Sequence, residues 1–278
     1  AVDLTVKQGA QIVVDESGGA DVNDANANDE AGQPAGVIGY AAVAGSTLFT
    51  ETADAGSDGQ AGKVYSLTLS AGSTGLIDTA SNQAVVLVNN NGVIEGRTAS
   101  SNLLVFTIAV DSTDGDVTVT QYRALNHGAD GNNYDSQKLM NSGLVALTVT
   151  LTDKDADTAS DSIELGSLIK FEDDGPSAFT PVEAYFENLN GAQQTYTAAL
   201  NFTANAGSDG VGSVKYTFDL AANGTPLLTS SGEPVSHDGQ PVLLYVNADK
   251  TQITGYAGGL NGELVFTATL NGNDTYTI

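Results

Sequence analysis

The sequence predicts an all-β protein built as two tandem Greek-key-type β-sandwich domains, residues 1–174 and 175–278. Three observations carry this. Segments such as KVYSLTLS (63–70) and GLVALTVTL (143–151) alternate strictly, with Tyr65, Leu67 and Leu69, and then Val145, Leu147, Val149 and Leu151, on one face. No stretch shows a sustained helical period. Finally, the second half repeats the first in order. AGSDG at 55–59 recurs at 206–210, and KVYSLTL (63–69) is answered by VKYTFDL (214–220). VLVN (86–89) is answered by LYVN (244–247), and VFT (105–107) by VFT (265–267). Several matches in one order mark the duplication of a whole domain rather than a short solenoid repeat.

Along the chain, DLTVK and QIVVDE are short β segments separated by a turn at Gly9. Residues 21–36, DVNDANANDEAGQPAG, have no apolar period and are dense in Asp and Asn oxygens. QAVVLVN and VIEGR flank Asn90, Asn91 and Gly92, the turn chemistry of a hairpin. LLVFTIAV and DVTVTQYRAL flank a turn bearing Asp111, Asp114 and Asp116. Residues 126–142 are polar, with at most one helical turn near Ser136–Met140. The second copy stops at NGNDTYTI, which aligns with DGDVTVTQ of the first. It therefore lacks a counterpart of roughly residues 122–165, through either truncation or an inserted module.

The composition excludes several functions. Nine Lys and Arg against 34 Asp and Glu give a net charge of −25, and the basic residues never cluster. Such a chain is repelled by nucleic acid and by anionic membrane surfaces. The absence of cysteine removes thiol catalysis, disulfides and cysteine zinc sites together. No apolar run approaches the ~20 residues of a helical span. No nucleophile elbow, phosphate loop or zinc signature is present, and His127 and His237 lie in polar segments that read as exposed or turn-bonded. The chain is read as a non-enzyme.

What remains is oxygen chemistry. Excess carboxylate destabilises a compact fold unless counter-ions are held, and calcium accepts 6–8 oxygen ligands where magnesium retains its waters. Asp153, Asp155 and Asp157 follow a strand at alternate positions, so that a turn brings their carboxylates together. The alternative is a solvated acidic turn, part-neutralised by Lys154. Glu172, Asp173 and Asp174 end another strand just before Gly175-Pro176 and form a second candidate calcium cluster, read as stiffening the joint between the domains. Asp21 and Asp24 form a third candidate, although neither has the Glu an EF-hand places twelfth; an ordinary Asx-rich loop is the alternative. Asp114 and Asp116 form a fourth, against a plain hairpin turn.

At LTVTLTDKDADTASDSIELGSLIKFEDDGPSA (147–178) the chain resembles the long repeats of giant bacterial adhesins of the repeats-in-toxin class, exported by type I secretion. In those repeats a T-D-x-D-x-D strand end precedes an F-E-D-D-G-P junction. VVDE (13–16) and YRALNHGAD (122–130) are similar too, the latter lacking the usual proline after its histidine. The resemblance implies an extracellular, calcium-dependent extender segment on the bacterial surface. Its partners would be neighbouring domains of the same longer chain. An alternative is that the second copy belongs to a glycan- or peptide-binding module.

Overall fold

A computed structural model describes residues 1–16, 34–128, 137–176, 178–185, 193–202 and 206–278. Asp21 and Asp24 lie outside the described residues. The fold is all-β, relieved among the described residues by one four-residue helix, Gly45–Leu48, and two short 3-10 turns. Among the described residues no helix is long and apolar enough to cross a membrane. The chain divides into two compact units, Ala1–Ser177 with Ala206–Gly210, and Ala178–Asn205 with Val211–Ile278.

The strands of unit 1 are β1 (Val2–Val6), β2 (Ile12–Asp15), β3 (Gly39–Val43), β4 (Phe49–Ala53), β5 (Gln60–Leu69), β6 (Ile77–Asp78), β7 (Gln83–Asn90), β8 (Val93–Thr98), β9 (Leu104–Val110), β10 (Val117–Gln121), β11 (Gln137–Leu139), β12 (Val145–Asp153), β13 (Thr158–Glu164) and β14 (Ile169–Glu172). They form sheets ordered β3-β10-β9-β8-β7-β6, β13-β12-β5, β11-β14-β2 and β1-β4. Alternation selects the buried face: Val145, Leu147, Val149 and Leu151 of β12 are buried, while Thr148 and Thr150 face out and bond Ser162 and Ser160 of β13 at 2.8 and 2.9 Å. Between β7 and β8, Asn91 and Gly92 both have positive φ, as a two-residue type I′ hairpin turn requires. The core joins the sheets through Phe106 and Phe171, whose ring centroids lie 5.0 Å apart. Residues 137–139 are strand rather than the helical turn read from the sequence, because β14 supplies a ladder that local propensity does not see.

Unit 2 contains β15 (Thr197–Ala199), β16 (Thr225–Pro226), β17 (Ser236–His237), β18 (Gln240–Val246), β19 (Gln252–Ala257), β20 (Leu264–Asn271) and β21 (Thr275–Thr277). Its sheet runs β15-β21-β20-β19-β18-β16, with β17 also on β18. One detail recurs in both units. Gly96 of β8 lies opposite Phe106 of β9 with a register shift at the next residue, and Gly255 of β19 stands in the same relation to Phe266 of β20. A Cβ at either glycine would fall 2.4 Å from the phenylalanine ring. Each glycine therefore leaves room for the ring to lie across the ladder.

The expected match of VKYTFDL to β5 fails at the level of the sheet. Residues 214–220 form no strand, although Tyr216, Phe218 and Leu220 remain half-buried between exposed neighbours. In unit 1 the ladder of β5 is made by β12 alone. Among the described residues of unit 2 no strand pairs with 214–220; the Phe218 amide instead bonds the Lys250 carbonyl at 2.7 Å.

Candidate metal centres

Two carboxylate clusters in unit 1 are built by different means. The first surrounds the β12–β13 turn. Asp153 ends β12, and its Oδ1 accepts from the Asp157 amide at 2.9 Å while its own amide donates to the Asp157 carbonyl at 3.0 Å. The turn is tied to the first AGSDG motif by a bond from the Lys154 amide to the Gly59 carbonyl, 3.1 Å. Asp58 is thereby brought to Asp153 and Asp155, with one oxygen from each within 4.8 Å of the others. An open pocket of about 350 Å³ lies here, lined also by Asp54 and Asp157. A hydrogen bond between Asp155 and Asp153 holds Asp153 below the usual aspartate range and Asp155 above it. Like charges are thus held close together here, and a bound cation would relieve them.

The second cluster is buried, and a parallel strand pair creates it. β14 lies beside β2 with Glu172 level with Asp15, so the following residues, Asp173 and Glu16, emerge side by side. The Glu16 amide reaches the Glu172 carbonyl at 3.3 Å. Glu16 is fully buried; its Oε1 accepts from Gln121 Nε2 at 2.6 Å and from the Leu125 amide at 2.9 Å, and its Oε2 has no hydrogen-bond partner. His127, whose side chain is 2% exposed, bonds the Phe171 carbonyl through Nε2 at 3.0 Å and turns Nδ1 to Asp173 Oδ1 at 3.3 Å. This corrects the reading of His127 as an exposed or turn-bonded histidine: its ring is buried and bonds the carbonyl of a residue on β14.

The second AGSDG motif completes this cluster. Ser208 donates its amide to Asp174 Oδ2 at 2.6 Å and its hydroxyl to the Glu16 carbonyl at 2.8 Å. Gly207, at φ 79°, must be glycine, since a Cβ would meet Asp174 Oδ1 at 2.8 Å. Burial raises the carboxyl of Glu16 well above the ordinary value, and it raises Asp174 and Asp209 as well. Burial pushes the His127 imidazole down, but the hydrogen bond to Asp173 and the charge of Glu16 outweigh it and lift it to about 9.

The sequence candidates separate accordingly. Asp153, Asp155 and Asp157 meet in the open cluster, and Asp173 and Asp174 contribute to the buried one. Glu172 is buried on β14 and accepts from Gln137 Nε2. Asp114 and Asp116 accept backbone amides, of Asp116 at 3.2 Å and Gly45 at 2.9 Å, and belong to neither cluster. The sequence reading missed Asp58, Asp209, Glu16 and His127. Recurrence of AGSDG was the available signal, because each copy lends its aspartate to one of the two clusters. In unit 2, His237, Asp238 and Glu263 form a third group on the surface, with His237 Nε2 3.4 Å from Glu263 Oε2.

A family model described as "Domain of unknown function (DUF5801)" matches residues 11–166 and 183–278. Neither the curated proteins nor the solved structures contain a match to the chain.

Proposed function

We propose that this chain, which belongs to the DUF5801 family, is a calcium-dependent structural segment of a large bacterial cell-surface adhesin, extending the molecule and positioning its ligand-binding modules outside the cell. The resemblance of residues 147–178 to adhesin repeats supports the setting. The observation that carries the calcium reading is the convergence of Asp58, Asp153 and Asp155 beside Asp54 and Asp157. All are hard oxygen donors, in an open position that leaves room for water ligands. An exposed site of this kind fits the weak extracellular class, with Kd of about 10⁻⁴–10⁻³ M, suited to a calcium-rich exterior. Such ions stabilise only the folded state, by RT ln(1 + [L]/Kd).

The test is a thermal melt of the whole chain in calcium chloride and in chelator, for wild type and for the Asp153→Asn, Asp155→Asn double variant. Calcium should raise the wild-type midpoint and leave the variant unmoved. An unchanged wild-type midpoint overturns the proposal.

A further inference from the structure

We propose that Glu16, His127 and Asp173 form a second metal site of a different class, one that takes a borderline divalent transition ion such as zinc through mixed nitrogen and oxygen ligands. The argument rests on the buried geometry and is independent of the calcium reading.

The Phe171 carbonyl can only accept, so the bond to it places the hydrogen of His127 on Nε2. A metal ion that displaces the second proton of the ring would then meet the lone pair of Nδ1. That nitrogen has no hydrogen-bond donor and faces Asp173 Oδ1, which also lacks one, at 3.3 Å. Two such atoms in a dry site need a positive charge between them, which a proton supplies in the absence of metal and which a divalent ion would supply in its place. Glu16 adds a third donor: it is fully buried, its Oε1 is held by two donors and its Oε2 by none.

The spacing suits a small ion. Ligand atoms of Glu16, His127 and Asp173 lie within 4.8 Å of one another. Tetrahedral coordination at zinc distances sets neighbouring ligands about 3.4 Å apart, close to the Nδ1 to Oδ1 separation. A backbone carbonyl fixing the far nitrogen of a ligating imidazole is the usual outer-shell arrangement, and Gln121 and the Leu125 amide orient Glu16 in the same way. An imidazole ligand favours zinc, cobalt or nickel over calcium, so the chain would discriminate between two cation classes at two places. The open cluster offers oxygen only.

Cobalt(II) chloride and zinc chloride, added to the whole chain in a His237→Gln background, are the probes. That substitution removes the surface imidazole of unit 2 and leaves His127 as the only other histidine. Cobalt should give a saturable visible absorption at one equivalent. The band should survive the Asp153→Asn, Asp155→Asn change and disappear in His127→Gln and Glu16→Gln. Long-range proton–nitrogen spectra should show the His127 Nδ1 resonance move with zinc but not with calcium. Absorption that persists in His127→Gln, or an imidazole resonance unmoved by excess zinc, overturns the proposal. The imidazole measurement uses the native residue, so it decides the matter even if His127→Gln fails to fold. Because the calcium reading is scored by melting of the Asp153/Asp155 variant, either idea can fail alone.

Discussion

Arg123 grips Asp78 with two bonds, Nε to Oδ1 at 2.7 Å and Nη2 to Oδ2 at 3.0 Å, and the aspartate is fully buried while the arginine is 28% exposed. Ser81 adds its amide and hydroxyl to Oδ2. This pair fastens the segment after β10 to β6, helped by bonds from the Thr79 amide to the Ala124 carbonyl and from the Asn126 amide to the Ile77 carbonyl. The same segment delivers the Leu125 amide and His127 to the buried cluster, so an ion pair outside that cluster helps to hold it together.

Removing the pair should therefore be costly. Asp78→Ala strips the partners from Arg123 and Ser81 and is expected to destabilise unit 1 by about 2–4 kcal/mol in denaturant melts. Burial alone would push the Asp78 carboxyl up, but the bonds from Arg123 and Ser81 outweigh it and hold it below the ordinary aspartate value. A depressed folded value means that the contribution is complete above the unfolded pKa, near 3.9, and is lost as pH falls through the folded one. Wild type should lose this increment on acidification below about pH 4, and Asp78→Ala should show a shallower acid limb.

The paired glycines give a graded test. Gly96→Ala forces a methyl group against the fully buried Phe106, with an expected cost of about 1–3 kcal/mol. Phe266 is half-buried and has room to swing aside, so Gly255→Ala should cost less. Equal losses in chemical denaturation would contradict this account.

Calcium in hundredfold excess over Kd should add about 2.7 kcal/mol per site, a midpoint rise of about 5–10 °C for a unit of this size. Calorimetry resolving the two units should place the rise in unit 1.

Hydrogen exchange should separate the two halves of the repeat. Peptides covering 63–69, laddered to β12, are expected to exchange slowly. Peptides covering 214–220 should exchange fast, because they form no strand and, among the described residues, only the Phe218 amide finds a backbone partner, the Lys250 carbonyl at 2.7 Å. Equal protection measured by mass spectrometry would mean that 214–220 pairs in solution.

Strand content and facing were legible in the sequence, as β12 and the Asn91-Gly92 hairpin show, because both depend on period and turn chemistry within a few residues. The open cluster was half legible: Asp153, Asp155 and Asp157 lie together in the chain, whereas Asp58 reaches them only because Lys154 bonds back to Gly59. The buried cluster was legible in Asp173 and Asp174 but not in its other members. His127 sits among polar residues, and nothing local signals that it is covered.

By itself, then, the sequence determined an all-β chain, its turns, its acidity and the recurrence of its motifs, since each is a property of neighbouring residues. Tertiary structure decided which carboxylates meet. The parallel pairing of β2 with β14 sets Glu16 beside Asp173, and residues 206–210 return to unit 1 to cover them. It also decided that 214–220, though patterned like β5, forms no ladder. The physical reason is the same in both cases: period two says which face of a strand is buried, while the choice of neighbour depends on segments far away along the chain.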